Sequence, residues 1–296
     1  MAANLTTPPE GAYWLASMPK SGNTWVRMFV NAYITGHCDI NRPMVTQSDI
    51  QVPEYQRLSC QPLNALNPME ALFLRHAFLL NAIKQKTKGA PVIFKTHNAR
   101  LKILDIELVP KALIKGAVYL VRDPRAVAVS YAKHMDCDID TAIYKLNHPF
   151  TYLSGQTTVG HYTSTWSENV DSWSQDDVTV VKYEDLLENP EREFTRILEA
   201  YQIKLDKKKL SKAIKMTAKD KLAEQEKQHK FRECINHTFF YGTPAWKETL
   251  TDSQCQQIEL HHGEWMHKLN YLESKDGNTK LRAVPQLCTA TGSGHA

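Results

Sequence analysis

Residues 12–25 read AYWLASMPKSGNTW, an apolar run that halts at a Pro-Lys-Ser-Gly turn and opens into a helical pattern. A strand that passes through a glycine turn into a helix constrains the fold more than any other stretch of this chain. Units of that kind build parallel sheets wrapped by helices. The turn also aims free backbone N–H groups and the Ser21 and Thr24 hydroxyls at a positive helix end, which suits an anion. An ordinary strand-to-helix turn capped by Ser or Thr would look the same. Its lysine is unusual. The nucleotide-triphosphate loop G-x-x-x-x-G-K-[ST] has Lys directly after its second Gly, whereas Lys20 stands two residues before Gly22.

The alternation continues along the chain. Apolar runs predict strands over 13–17, 91–95, 117–121 and 177–183. Helical periodicity predicts helices over 24–34, 72–84, 162–173, 190–201, 206–227 and 253–269, with another opening at Pro124, where a missing N–H costs nothing. Two stretches, 37–68 and 136–160, lack clear periodicity and read as long excursions of the kind that form lids or binding loops. No internal repeat is visible. The expectation is a single α/β domain over 1–273, a central parallel β-sheet flanked by helices with a P-loop-like turn, followed by a mobile tail over 274–296. Ligands of such sheets sit at the carboxyl ends of the strands, which is where Lys20, His97 and Arg122 fall.

Composition narrows the class. A chain of 296 residues with 42% hydrophobic content can bury one large core or two small ones. A net charge of +4 is mildly basic; it fits an anionic ligand and is too weak to argue for nucleic acid. No run of 18 apolar residues predicts a membrane span, and MAANLTTPPEGAY has no basic region followed by an apolar stretch. The six cysteines are scattered with no C-x-x-C, which predicts reduced thiols in a cytoplasmic protein.

Two further motifs carry chemistry. In KTH (95–97) a histidine directly follows a strand, two residues after Lys95. It can act as general base on a hydroxyl, or be a satisfied structural residue. In VRDPRAVAVSYAKH, Arg122 ends a strand and Ser130 lies in the second turn of the next helix. Together they can hold a phosphate; alternatively Arg122 or Arg125 pairs with Asp123 on the surface. Asp123 and Asp185 read as structural, orienting an arginine and capping a helix. The basic stretch 204–222 reads as a solvated helix face, and HHGEWMH (261–267) does not match H-E-x-x-H, so no metal site is expected.

In this order the motifs resemble the sulfotransferases that use 3′-phosphoadenosine 5′-phosphosulfate (PAPS), over roughly residues 11–270. PKSGNTW (19–25) looks like the family's 5′-phosphosulfate loop, RDPRAVAVSY (122–131) like its 3′-phosphate motif, and KTH sits where the family keeps its catalytic histidine; TWSENVDSW (165–173) and VVKYEDLLENP (180–190) are also typical. The resemblance implies in-line attack by an acceptor hydroxyl on the sulfuryl group, with His97 as base, Lys95 beside that group and Lys20 on the oxygen that leaves. It implies that Ser21, Gly22, Asn23 and Thr24 hold the 5′-phosphate, that Trp25 packs on the adenine, that Arg122 and Ser130 hold the 3′-phosphate, and that Tyr183 and Thr217 reach the adenine region. Adenosine 3′,5′-bisphosphate is the implied product.

The sulfuryl group carries less charge than a γ-phosphoryl, and the Lys-Ser/Thr pair that follows the second Gly of a nucleotide-triphosphate loop is missing after Gly22, so metal independence is expected. The chain departs from the family at Lys219, where an aromatic residue is common, and at FFYGTPAWK (239–247), where many relatives carry R-K-G-x-x-G-D-W-K. Lys230 and Arg232, upstream, are candidates for the missing charge. The acceptor pocket is expected from 37–68, 136–160 and 239–246, with Tyr55, Tyr144, Phe150, Tyr152, Phe239, Phe240 and Tyr241 suiting a small aromatic or lipid-like alcohol. A P-loop kinase, against which the lysine placement speaks, and a non-catalytic nucleotide-binding protein are the alternatives. Oligomeric state is not legible.

Overall fold

The computed structural model describes residues 11–41, 44–50, 52–61, 68–85, 91–149, 151–153, 160–231, 239–240 and 245–272. The strands are β1 (Ala12–Ser17), β2 (Thr46–Ser48), β3 (Ile93–Thr96), β4 (Lys102–Ile103), β5 (Ile106–Glu107), β6 (Ile114–Val121), β7 (Thr151–Leu153), β8 (Gly160–Tyr162) and β9 (Val178–Lys182). The helices are α1 (Asn23–Thr35), α2 (Val52–Ser59), α3 (Pro68–Gln85), α4 (Pro124–Met135), α5 (Ile139–Asn147), α6 (Trp166–Trp173), α7 (Tyr183–Glu188), α8 (Pro190–Ala200), α9 (Lys207–Met216), α10 (Lys219–His229), α11 (Trp246–Thr249) and α12 (Asp252–Lys268). Five strands form the main sheet in the order β2-β3-β1-β6-β9, with every pairing parallel. Strands β4–β5 and β7–β8 are small antiparallel hairpins.

Both faces of this sheet are covered, so its strands are apolar on both sides, as buried parallel sheets require. Trp14, Ala16, Phe94, Tyr119 and Val121 point to one face, where Phe78 of α3, Val127 of α4, Trp166 and Trp173 of α6 and Ile258 of α12 meet them. Leu15, Ile93, Val118, Leu120 and Val181 point to the other, under Phe29 of α1, Phe194 and Ile197 of α8 and Leu210 of α9. The result is a three-layer α/β/α sandwich. Strand β1 is central, and its two neighbours are reached on opposite sides, β3 first and β6 later. The carboxyl ends of β3, β1 and β6 therefore border one crevice at the point where strand order reverses.

Several expected elements need correction. The excursion 37–68 contains the edge strand β2, read off neither composition nor periodicity, and the helix α2. The excursion 136–160 contains α5 and β7. The helix expected over 162–173 begins at Trp166, because Thr165 and Glu168 form a capping box; Tyr162 belongs to β8. The helix expected over 206–227 is two helices, separated at Thr217 and Ala218. The tail 274–296 lies outside the described residues. Cys38, Cys60, Cys137 and Cys255 are free thiols, and no helix among the described residues is long and apolar enough to cross a membrane.

Gly116, in β6, shows how closely a helix approaches the sheet. A Cβ there would lie 2.2 Å from the carbonyl oxygen of Ala200, at the end of α8. Backbone on backbone cannot yield as a flexible side chain can. Gly116→Ala is expected to lower the unfolding free energy by ~1–3 kcal/mol, read by urea denaturation; an unchanged midpoint would show that the helix end is loosely seated.

Candidate active site

The loop after β1 is shaped by two left-handed residues. Lys20 has φ 70° and Gly22 has φ 99°, with Ser21 between them. At Gly22 a Cβ would also lie 2.7 Å from the ring of Tyr183, so glycine is required there twice over. Gly22 is the N-cap of α1 and provides no side-chain cap. The first N–H groups of that helix thus lack the usual side-chain acceptor. The Ser21 hydroxyl is fully buried and has no hydrogen-bond partner among the described residues. A buried orphan hydroxyl in native structures calls for an unseen partner, and beside an uncapped helix start an anionic oxygen fits it. Thr24 is buried in the first turn of α1.

The Asn23 side chain ties the loop to β1. Its Nδ2 donates back to Ser17 Oγ (3.2 Å) and Leu15 O (3.4 Å). Ser17 in turn meets the histidine at the end of the neighbouring strand. His97 Nδ1 lies 2.8 Å from the Ser17 carbonyl and 3.3 Å from its hydroxyl. A carbonyl can only accept, so Nδ1 carries the proton and Nε2 carries the lone pair. His97 is 8% exposed. Burial, then the charge of Lys95 and the nearby His161, hold its pKa well below the ordinary histidine value. It is neutral at pH 7.

The backbone around His97 is gripped from every side, by residues that sequence reasoning did not single out. His97 N–H donates to His161 Nδ1 (3.3 Å), and Asn169 Nδ2 donates to His97 O (3.3 Å). Trp173 Nε1 donates to Asn98 O (2.9 Å). The Asn98 amide donates to Asp49 Oδ2 (2.9 Å), and its Oδ1 accepts from Tyr162 N–H (2.7 Å). Asp49 is fully buried and paired with the buried Arg75. His161 lies 3.4 Å from Asp49 Oδ1, but its Nδ1 already accepts from His97 N–H and cannot present a proton there. Burial keeps His161 neutral as well.

Across the crevice, two adjacent arginines are divided between structure and site. Arg125 chelates Asp123 (2.8–3.2 Å), reaches Glu259 (3.0 Å) and Tyr271 O (2.8 Å), and lies over the Trp246 ring at 4.0 Å. Asp123 also caps α4. With Asp123 committed to Arg125, Arg122 turns to the loop. Its Nη1 donates to Lys20 O (3.0 Å), and its guanidinium sits 4.5 Å from the Tyr183 ring centre. Ser130 is buried on the same helix, α4. Lys95 is half-buried in β3.

The Trp25 indole donates to Thr217 O (2.8 Å) and meets the Tyr183 ring edge-on. Thr217 is fully buried; its carbonyl holds Trp25, and its hydroxyl donates to Ala213 O (2.8 Å). Phe239 lies under the Lys20 ammonium at 4.0 Å. The buried carboxylate of Glu226 fixes it there, accepting from the N–H groups of Phe239 and Phe240 (2.5 and 3.0 Å).

The chain also matches a known family. A model of the sulfotransferase domain matches residues 10–270. The chain belongs to the sulfotransferase domain family. Sulfotransferase 1A1 of Mus musculus is 26% identical over 207 residues, covering 61% of this chain and 65% of that protein. Sulfotransferase 1A1 of Bos taurus is 24% identical over 283 residues, covering 85% and 82%. The match to the mouse relative thus spans just under two thirds of that protein's length. The sulfotransferase fold also aligns with mouse sulfotransferase SULT7A1 complexed with PAP, at a TM-score of 0.55 and 15% identity over 88% of this chain and 86% of that one. Retinol dehydratase in complex with androsterone and PAP aligns at 0.54 and 16%, over 91% and 82%.

Some residues expected at this sulfotransferase site stand elsewhere. Tyr55 is core, stacked on Phe78 at 5.0 Å, and therefore no pocket wall. Tyr144 is 62% exposed and stacks on His148. Phe150, the Tyr152 side chain, Tyr241 and Arg232 lie outside the described residues. Trp246, retained from the family's covering stretch, supports Arg125. The basic face of α9 does solvate, and with Cys38 and residues of α10 it lines a groove of about 970 Å³ that includes no residue of the turn between β1 and α1.

Three buried histidines, His97, His161 and His262, have depressed pKa values, His262 down to about 3. The unfolded chain takes up these protons below about pH 6.5 while the folded one resists them, so stability rises with pH. Urea denaturation is expected to show unfolding free energy falling between pH 7 and pH 5, approaching about 1.4 kcal/mol per pH unit for each histidine. A flat profile would show that they charge without unfolding.

Proposed function

We propose that this chain is a PAPS-dependent enzyme that transfers a sulfuryl group to a hydroxyl of a small aromatic or lipid-like acceptor in the cytoplasm, leaving adenosine 3′,5′-bisphosphate. One observation carries the reading: at the ends of three adjacent parallel strands, an early lysine, a neutral histidine with its lone pair on Nε2, and an arginine without a carboxylate partner among the described residues face one crevice. The orphan Ser21 hydroxyl and the uncapped start of α1 fit a phosphate. PAPS would supply the sulfuryl group, bound to a phosphate that leaves readily.

The residues divide the work as follows. Ser21, the amides of Gly22 and Asn23, and Thr24 hold the 5′-phosphate; Arg122 and Ser130 hold the 3′-phosphate; Trp25 and Tyr183 flank the adenine, with Thr217 fixing Trp25. His97 Nε2 takes the acceptor hydroxyl's proton. Its depressed pKa keeps it neutral at pH 7, and a base must be neutral to accept. Lys20 meets the charge that builds on the departing oxygen, and Lys95 lies beside the transferring group. A donor so placed is typically worth on the order of 3–4 kcal/mol. The half-buried Phe239 and Phe240, packed with Phe231 beside Lys20, support an apolar acceptor. No metal ligand enters this scheme.

The test is transfer of labelled sulfuryl from PAPS to a panel of phenols, sterols and aliphatic alcohols. His97→Ala is expected to lower kcat by ~10²–10⁴, with bisphosphate affinity changed less than about threefold. Wild-type turnover by that variant would remove His97 from the mechanism. Excess EDTA is expected to leave the rate unchanged; loss of activity restored by Mg²⁺ would favour a kinase.

A further inference from the structure

Lys219 departs from the family pattern, yet it is held at the heart of the site. It is the first residue of α10, half-buried, with its ammonium 4.7 Å from the Tyr183 ring centre and 5.6 Å from that of Trp25. The Arg122 guanidinium sits against the same Tyr183 ring at 4.5 Å. Two cations on one ring repel each other. Lys219 also stands in the first turn of a helix, where the macrodipole disfavours positive charge, and the N-cap Ala218 offers no side-chain cap. Among the described residues neither Lys219 nor Arg122 pairs with a carboxylate. Asp123 is committed to Arg125, and Glu184 accepts from Asp123 N–H (3.2 Å) and the Tyr271 hydroxyl (2.9 Å).

The ring faces of Tyr183 and Trp25 tolerate a cation, but the helix start and the neighbouring guanidinium favour a neutral or acidic side chain at this position. A choice that breaks several rules at once marks function more often than accident. An anion between the two cations removes the conflict. Of the other candidates for the charge missing from 239–247, Lys230 is exposed at the far end of α10, and Arg232 lies outside the described residues.

We propose that Lys219 acts with Arg122 to hold the 3′-phosphate of the nucleotide over the Trp25–Tyr183 pair, supplying the charge that the Phe-Phe-Tyr-Gly stretch lacks. The proposal rests on the reading of this crevice as a phosphosulfate site. Its novelty is that the clamp has moved from a covering loop to the start of α10.

Isothermal titration with adenosine 3′,5′-bisphosphate and with adenosine 5′-phosphate separates the two ideas. Wild type should prefer the bisphosphate. Lys219→Met should weaken bisphosphate binding by about tenfold or more, change adenosine 5′-phosphate binding by less than about threefold, and reduce the salt dependence of the bisphosphate affinity; Lys219→Arg should retain the preference. Without nucleotide, Lys219→Met should unfold at the same temperature as wild type or higher, since a repulsion has been removed. Full bisphosphate preference in Lys219→Met overturns the Lys219 assignment alone, and a lowered unfolding temperature with unchanged preference marks it as structural. Failure of wild type to bind the bisphosphate overturns the phosphosulfate reading and this proposal with it.

Discussion

The hydrogen bond from His97 Nδ1 to the carbonyl of Ser17, 2.8 Å long, organises the site. It ties the ends of β1 and β3 together, and those strands are neighbours only because the sheet order reverses at β1. It also fixes the tautomer, leaving Nε2 as the acceptor nitrogen. Through Ser17 Oγ the same contact reaches the Asn23 amide, and so the first turn of α1. The loop after β1 and His97 are thereby tied into one unit rather than brought together by chance. Preorganisation of this kind is what makes an electrostatic site effective.

The charges around that unit are sorted by burial. Asp49 and Arg75 neutralise each other beneath the end of β3, at a depth where an unpaired member would be strongly destabilising. Asp123 and Arg125 do the same at the start of α4, and Arg125 spreads over Trp246 and Glu259. What remains facing the crevice is positive: Lys20, Arg122 and Lys219, with Lys95 on the adjacent strand. Lys20 rests on an aromatic ring, and Arg122 and Lys219 share one. A ring face tolerates a cation without neutralising it, so the field stays available for an anion.

Much of this was legible because the informative residues follow apolar runs. Lys20, His97 and Arg122 stand directly after strands whose Val, Ile, Leu and aromatic content marks them as buried, and parallel sheets gather such ends. Strand β2 was not legible. It has three residues, TQS, and only Thr46 is buried. The break between α9 and α10 carries no glycine or proline, and the start of α6 was misjudged because Tyr162 happens to continue its apolar spacing. Tyr55 was counted as a pocket residue, although Arg75 and Phe78 hold it in the core. The network behind His97 was invisible for another reason: Asp49, Arg75, Asn98 and His161 are far apart in sequence, and each alone is an ordinary polar residue. Lys219 registered only as a departure, since the sequence could not show that it returns to Tyr183.

The central claim is that the early lysine marks a metal-independent site for a 3′,5′-bisphosphate nucleotide. Thermal unfolding in EDTA, with adenosine 3′,5′-bisphosphate or ATP, tests it most directly. The account predicts that the bisphosphate raises the unfolding temperature, by an amount equivalent to about 2.7 kcal/mol at a hundred times its dissociation constant, and that ATP does not. Stabilisation by ATP with Mg²⁺, and none by the bisphosphate, would contradict it.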